Sequence, residues 1–376
     1  MIIYRGFTRS IMATSRQKPN GPLRKGWTTG ACATAATTAA YQALLTGDFP
    51  DPVTITLPRG EEPAFALTRR ELTDGQATVG IIKDAGDDPD ITHGAEIVVT
   101  VALDNHSGGI TFHAGPGVGT VTRPGLALGV GEPAINPGPR AMMQGVIEDL
   151  TKKYASGGAA AVAITVSIPG GAALAEKTLN GRLGIEGGLS VLGTTGVVIP
   201  YSCSAWIHSI HRGVDVARAS GLTHIAAATG STSEAAVQKA LGLSEAALID
   251  MGDFAGGLLK YLRTHPVEKL TIAGGIGKLT KLAQGEMDLH SSRSRVDMGR
   301  LAGWLADLGA DGDTVANAEA ANTAAEVLEM TEAQGLALGG LIAKQAREVT
   351  LAALSGGTEV EVMLFDRNGK QVGHAG

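Results

Sequence analysis

The densest run of chemistry-bearing residues is Asp84-Ala-Gly86-Asp87-Asp88-Pro-Asp90-Ile-Thr92-His93-Gly94. Four carboxylates this close repel one another unless they are solvated, paired or bound to a cation. One reading is an exposed acidic turn. A calcium loop is a second, although the spacing and closing Glu of an EF-hand are missing. In the third, His93 is a proton-transfer group with Asp87 and Asp88 as its catalytic neighbours, because a nearby carboxylate orients an imidazole and raises its basicity.

Two glycine loops invite a cofactor. Thr229-Gly230-Ser231-Thr-Ser-Glu234 follows a strand-like run and opens a helical one. Ser231 and Glu234 fit a capping box. The same segment also fits a helix start whose free N–H groups face a ligand at the carboxyl end of a parallel strand. Gly274-Gly275-Ile-Gly277-Lys278 repeats the transition. Asp250 and Asp253 stand where the strand between them ends; an acid there suits ribose hydroxyls, and Asp253 equally suits a helix cap. Gly230, Ser231, Asp250, Gly274, Gly275 and Gly277 are therefore the candidate cofactor-binding residues. Standard nucleotide motifs fail. Gly115-Pro-Gly117-Val-Gly119 has Thr120 where a dinucleotide fingerprint needs Gly. Ala273–Lys278 has Ile272 in place of the first P-loop Gly and Leu279 in place of the magnesium-holding Ser or Thr.

His290, Ser291, Ser292, Arg293 and Arg295 make a basic, hydroxyl-rich loop, either a solvated connection or a grip on carboxylates or phosphate. The Thr28-Thr29-Gly30 and Gly193–Gly196 turns are small enough for a ligand to approach the backbone. No H-E-x-x-H or paired C-x-x-C occurs, so the protein is expected to hold no metal of its own.

These loops need a scaffold, and the sequence patterns supply one. A helix is expected over Ala31–Leu45, with Thr before it and Gly47 after it. Short Val/Ile/Thr-rich runs follow, among them Ala77–Lys83, Ile97–Leu103 and Ile110–His113, then a helix near Met142–Tyr154 and a strand at Ala161–Ile168. From about Ser190 strands and helices alternate: His224–Ala228, Ser231–Leu241, Ala247–Asp250, Phe254–Thr264, Leu270–Ala273, Ile276–Ala283. That rhythm implies a parallel sheet with helices on its faces. The chain closes on Val360–Phe365 and a hairpin turn at Arg367–Lys370. The expected fold is thus a flexible tail (1–24), a mixed α+β domain (25–189) and a Rossmann-like parallel α/β domain (190–376) with C-terminal helices. The tail leaves Met1 and Met12 as alternative starts.

Composition bounds the function. The chain has 376 residues, 44% of them hydrophobic, and a net charge of −6. It therefore has material for a core and lacks the basic balance of a nucleic-acid binder. No apolar run is long enough to cross a membrane. Two cysteines build no disulfide framework. A cytoplasmic protein is expected, and a homo-oligomer stays open.

Taken in order, several segments resemble the CbiD family, the cobalt-precorrin-5B C1-methyltransferases of anaerobic cobalamin synthesis. They are Lys25–Thr34, the Asp84–Gly94 loop, Gly115–Leu126, Gly131–Pro137 with Arg140, Arg182–Gly196, Gly274–Leu282 and His290–Asp297. The resemblance implies methyl transfer from S-adenosylmethionine to carbon 1 of a corrinoid whose cobalt arrives with it. That substrate carries many carboxylates, so an acidic protein must gather positive charge locally. The substrate-binding candidates are Arg123, Arg140, Arg182, Lys278, His290 and Arg293, with Lys281 and Arg295 beside them, and the turns at Thr28, Thr29, Gly115, Gly117 and Gly119. The residues alone leave two competing readings: a non-catalytic corrinoid or nucleotide carrier, and a small-molecule kinase of the GHMP type.

Overall fold

The structure is a computed structural model describing residues 21–104, 109–155 and 161–376. They fall into two compact units that divide between Ser202 and Cys203. Segment 190–202, expected to begin the second domain, stays with the first unit, where Val197–Val198 pairs antiparallel with Gly26–Trp27. Of the expected tail, positions 1–20 lie outside the described residues. No helix among the described residues is long and apolar enough to cross a membrane.

The first unit is built on strands β1 (Arg69–Thr73), β2 (Gln76–Ile82), β3 (Glu96–Leu103), β4 (Ile110–Ala114) and β5 (Val162–Ser167), in the order β1-β2-β3-β5-β4. Only β5 and β4 run parallel. Helix α1 (Thr29–Thr46) packs on β2 and β3, with α2 (Pro137–Tyr154) against it. α1 is buried on almost every side. Its alanines allow close approach, and its buried threonines return their hydroxyls to the preceding turn: Thr34 to the Gly30 carbonyl, Thr37 to Ala33, Thr38 to Thr34. A polar residue so satisfied is cheap to bury. Burial pushes the Cys32 thiol on this helix up to about 12, so it is an inert core group.

The second unit carries strands β6 (His224–Ala228), β7 (Leu248–Asp250), β8 (Lys269–Gly275), β9 (Glu359–Phe365) and β10 (Gln371–Ala375), in the order β7-β6-β8-β9-β10. The first four are parallel and β10 closes antiparallel on β9 through the expected turn. Helices are α3 (Cys203–Ala219), α4 (Ser231–Leu241), α5 (Ala255–Leu262), α6 (Ile276–Ala283), α7 (Met298–Asp307), α8 (Gly312–Ala320), α9 (Ala324–Glu332) and α10 (Leu338–Leu354). The strands β6 and β8 are buried along nearly their whole length, as central parallel strands are. Their order matters. The chain leaves β6 toward β7 on one side and leaves β8 toward β9 on the other. Loops that part in opposite directions open a crevice at the carboxyl ends of two neighbouring strands, the place where open α/β sheets bind ligands.

Candidate functional site

That crevice holds a cavity of about 670 Å³, within the range of roughly 300–1,000 Å³ usual for small-molecule sites. Its floor is the two loops named from the sequence: Gly230 and Ser231 at the start of α4, and Gly275, Gly277 and Lys278 at the start of α6. The other walls come from Leu328, Glu329 and Glu332 on α9 and from Phe365 to Asn368 beside the β9–β10 turn.

At four helices a side chain caps the start: Thr28 accepts the Ala31 N–H for α1, Asp297 that of Arg300 for α7, Asp311 that of Thr314 for α8 and Thr323 that of Glu326 for α9. The starts of α2, α5 and α10 have no such bond, and none of them lines the cavity. At α4 and α6 the cap is Gly230 or Gly275, with no side-chain bond. The expected Ser231–Glu234 capping box therefore does not form; Ser231 is already inside the helix. Such ends keep orphan N–H donors and the positive end of the helix dipole for a ligand.

The glycines make the same point. A Cβ added at Gly230, Gly275 or Gly277 would meet no protein atom within 4 Å. None of the three has the left-handed backbone that demands glycine. Packing does not need them, yet all three line the cavity. Gly274 is different: its Cβ would stand 2.8 Å from the Thr229 hydroxyl and 2.9 Å from Leu279, so it serves close packing behind the cavity. Lys278 donates to the Thr229 carbonyl at 2.6 Å, and Asp253 Oδ1 lies 3.0 Å from its ammonium. Asp253 is thus a partner of Lys278 and not the cap of α5, which is Phe254. Asp250 does not line the cavity; its carbonyl accepts the Trp206 indole N–H at 3.2 Å.

In the first unit the acidic loop is bound to itself and to its neighbours. The Arg24 guanidinium clasps Asp84, and its backbone N–H donates to Asp87 at 2.6 Å. Asp88 accepts the Tyr201 N–H at 2.8 Å. Lys83, only 2% exposed, donates to Asp90 and Thr92, and Asp90 accepts the Thr92 N–H at 2.7 Å and its hydroxyl at 2.6 Å. The aspartates expected to orient His93 therefore point elsewhere. Its Nδ1 accepts the Ala85 N–H at 3.1 Å, with Asp84 3.7 Å away. An imidazole that accepts at Nδ1 carries its proton on Nε2 when neutral, so His93 presents a donor there.

These pairings set an acid dependence. The Arg24 hydrogen bonds hold the Asp84 carboxyl down at about 2. Burial works to raise Asp90, but the Lys83 charge and the hydrogen bonds from Lys83 and Thr92 outweigh it and hold Asp90 below its ordinary value. Burial raises Asp88, an effect of opposite sign. Depressed carboxylates stabilise the fold above their unfolded value of about 3.9 and lose that contribution as pH falls through the folded value. The urea midpoint is therefore expected to fall between about pH 4 and pH 2, and Asp84→Asn should flatten that fall. An unchanged slope in the variant would remove Asp84 as a cause.

The other substrate-binding candidates of this unit hold turns together. Arg140 donates from Nε to the Ile135 carbonyl at 2.7 Å and from Nη2 to that of Pro133 at 3.2 Å, and it pairs with Glu132 at 2.8 Å. Arg123 reaches the Arg182 carbonyl at 3.3 Å. Thr28 caps α1, and Thr29 is buried. Gly115, Gly117 and Gly119 are packing glycines: an added Cβ would stand 2.0 Å from Ser167, 1.9 Å from the Ile168 carbonyl oxygen and 2.5 Å from Ile185. In the second unit, His290 bonds Ser292 at 2.7 Å and Arg293 lies 3.5 Å from Asp288 on an exposed loop.

Comparison with known proteins decides the family. The CbiD sequence model matches residues 16–200, and the CbiD C-terminal domain matches residues 288–376. A cobalt-precorrin-5B C(1)-methyltransferase of Paramagnetospirillum magneticum is 58% identical over 354 residues, 94% of this chain and 98% of the relative. That of Brucella canis is 59% identical over 348 residues, 92% of this chain and 94% of the relative. The chain belongs to the CbiD family. A crystal structure of the cobalamin biosynthesis protein CbiD from Archaeoglobus fulgidus is 27% identical, covering 68% of this chain and 78% of that one, with a TM-score of 0.37.

In this CbiD chain the structure gathers Gly230, Ser231, Gly275, Gly277 and Lys278 around one cavity and leaves Asp250 and Gly274 outside its lining. Sequence reading missed Glu329, Glu332, Phe365 and Arg367. The glutamates sit three apart on a helix, a spacing shared with any solvated helix face. Arg367 and Asn368 were read only as turn residues, and nothing local marks that the turn folds over the cavity.

Proposed function

We propose that this chain transfers the methyl group of S-adenosylmethionine to carbon 1 of cobalt-precorrin-5B, giving cobalt-precorrin-6A, in the cytoplasm. The observation that carries this is its 58% identity to a relative of that name over 98% of the relative's length. We place the cosubstrate in the cavity of the second unit, which in this reading works as a Rossmann-like domain. The residues present fit it. Glycines 230, 275 and 277 leave room for close approach, and the uncapped starts of α4 and α6 offer N–H donors to its carboxylate. Glu329 and Glu332 offer acceptors to its ammonium and ribose hydroxyls, and Ile276, Leu328 and Phe365 offer apolar surface to its base. Lys278 is held by Thr229 and Asp253 and fixes the spacing of the two loops.

When bound, the cosubstrate supplies a methyl on a cationic sulfur; the ring carbon's electron pair forms the new bond, and the carbon–sulfur pair leaves with sulfur as a neutral thioether. The protein's task is then mainly alignment and exclusion of water. His93 enters the proposal as a hydrogen-bond donor through Nε2, and Asp87 and Asp88 as the groups that hold its loop. The test is anaerobic incubation with cobalt-precorrin-5B and methyl-labelled S-adenosylmethionine. One methyl gained at carbon 1 per thioether released is the expected outcome. Binding of both ligands without transfer would instead make the protein a carrier.

A further inference from the structure

Beside the cavity, on the same edge of the sheet, stands a half-exposed aromatic ring. Trp206 on α3 is 45% exposed, although tryptophan is a residue that folding normally buries. Its position is fixed. The indole N–H donates to the Asp250 carbonyl, and the ring lies over Gly252, where a Cβ would come within 3.3 Å of it. Gly252 has a left-handed φ of 56°, which favours glycine. The ring therefore rests against bare backbone, with the Phe254 ring tilted beside it at 6.4 Å between centroids, and still keeps close to half of its surface exposed.

The loop beneath it joins two further features. Asp253 faces Lys278, which lines the cavity. The Asp253 carbonyl also accepts the Leu289 N–H at 2.8 Å, and the Gly256 N–H donates to the Met287 carbonyl at 2.9 Å. Buried Lys281 donates to the Leu289 carbonyl at 2.9 Å. These bonds seat the base of the exposed loop that carries Arg293 and Arg295. The Arg293–Asp288 pair is exposed and weak, so Arg293 is free to change partner. One sheet edge thus holds a cavity, a fixed, half-exposed indole and a basic loop, tied together through Asp253.

We propose that the exposed surface of the Trp206 ring is the platform on which the flat macrocycle stacks, with Arg293 and Arg295 meeting its peripheral carboxylates. This rests on the reading that the chain acts on cobalt-precorrin-5B. It places the ring next to the methyl donor's cavity, on the far side of the Lys278–Asp253 pair.

The test uses the full chain and two stable corrinoids: cobyrinic acid, whose carboxylates are free, and cobinamide, whose carboxylates are amidated. Trp206→Leu should weaken binding of both about tenfold, and Trp206→Phe should restore most of it, because stacking needs a ring. The double variant Arg293→Gln/Arg295→Gln should weaken cobyrinic acid about tenfold and leave cobinamide within about twofold. S-adenosylmethionine affinity should not move in any of them. Trp206→Leu with unchanged corrinoid affinity overturns the platform, as does equal loss in the Leu and Phe variants or a parallel loss of S-adenosylmethionine binding. A wild-type protein that binds neither corrinoid and transfers no methyl overturns the functional reading as well.

Discussion

Gly277→Leu is expected to weaken S-adenosylmethionine binding by about 5- to 150-fold, the effect of forcing extra carbons into occupied space at about 1–3 kcal/mol. The fold should not suffer. Residue 277 is in the first turn of α6 with an ordinary helical backbone, and its Cβ meets no protein atom. Glycine inside a helix costs roughly 0.5–1 kcal/mol relative to alanine, so Gly277→Ala should leave the urea midpoint unchanged or slightly raised. Gly117→Ala should do the opposite. Its φ is 83°, and its Cβ would stand 1.9 Å from the Ile168 carbonyl oxygen. A left-handed backbone costs a side chain about 1–2 kcal/mol, and the clash adds about 1–3. One substitution type thus separates two glycine populations: those with open space where a Cβ would stand and those that let strands and loops touch. Urea unfolding beside a binding titration checks both. Equal affinity in Gly277→Leu and wild type would remove this cavity as the cosubstrate site.

The second large effect belongs to the first unit. Lys83 is buried, and its ammonium is bound by Asp90 and the Thr92 hydroxyl. Lys83→Met would leave the half-buried Asp90 carboxylate without its charge partner, at a cost of up to about 3–5 kcal/mol. For a unit of this size that lowers Tm by roughly 6–20 °C. Replacing both partners, Lys83→Met with Asp90→Leu, should recover much of the loss, because no buried charge then lacks a partner. A single variant within about 1 kcal/mol of wild type would mean that water reaches the pair. The pair stitches the end of β2 to the loop that carries His93, so its loss should also loosen that histidine.

How much of this was legible in the sequence differed by element. His224–Ala228, Ser231–Leu241 and Ile276–Ala283 stand where the pattern put them, because alternating apolar strands and amphipathic helices leave period signals that tertiary packing does not override. The strand-to-helix glycine loops were also legible, since a parallel sheet puts such loops at one edge. The roles of individual glycines were not. Gly117 and Gly277 look alike in sequence, and only the room around each Cβ tells them apart. The Asp84–Gly94 loop read as repulsive because its partners are distant in the chain: Arg24 for Asp84 and Tyr201 for Asp88. The arginines read as ligand grips are equally short of local signals. Arg140 spends its donors on the 132–135 turn, a use that depends on a fold and not on a motif.

The most direct measurement is a crystal structure of the full chain with S-adenosylhomocysteine, the demethylated cosubstrate. Density bounded by Gly230, Gly275 and Gly277 on one side and by Glu329 and Glu332 on the other is the expected result. The same ligand bound elsewhere, with that cavity holding only solvent, would contradict the assignment of the second unit as the cosubstrate-binding half.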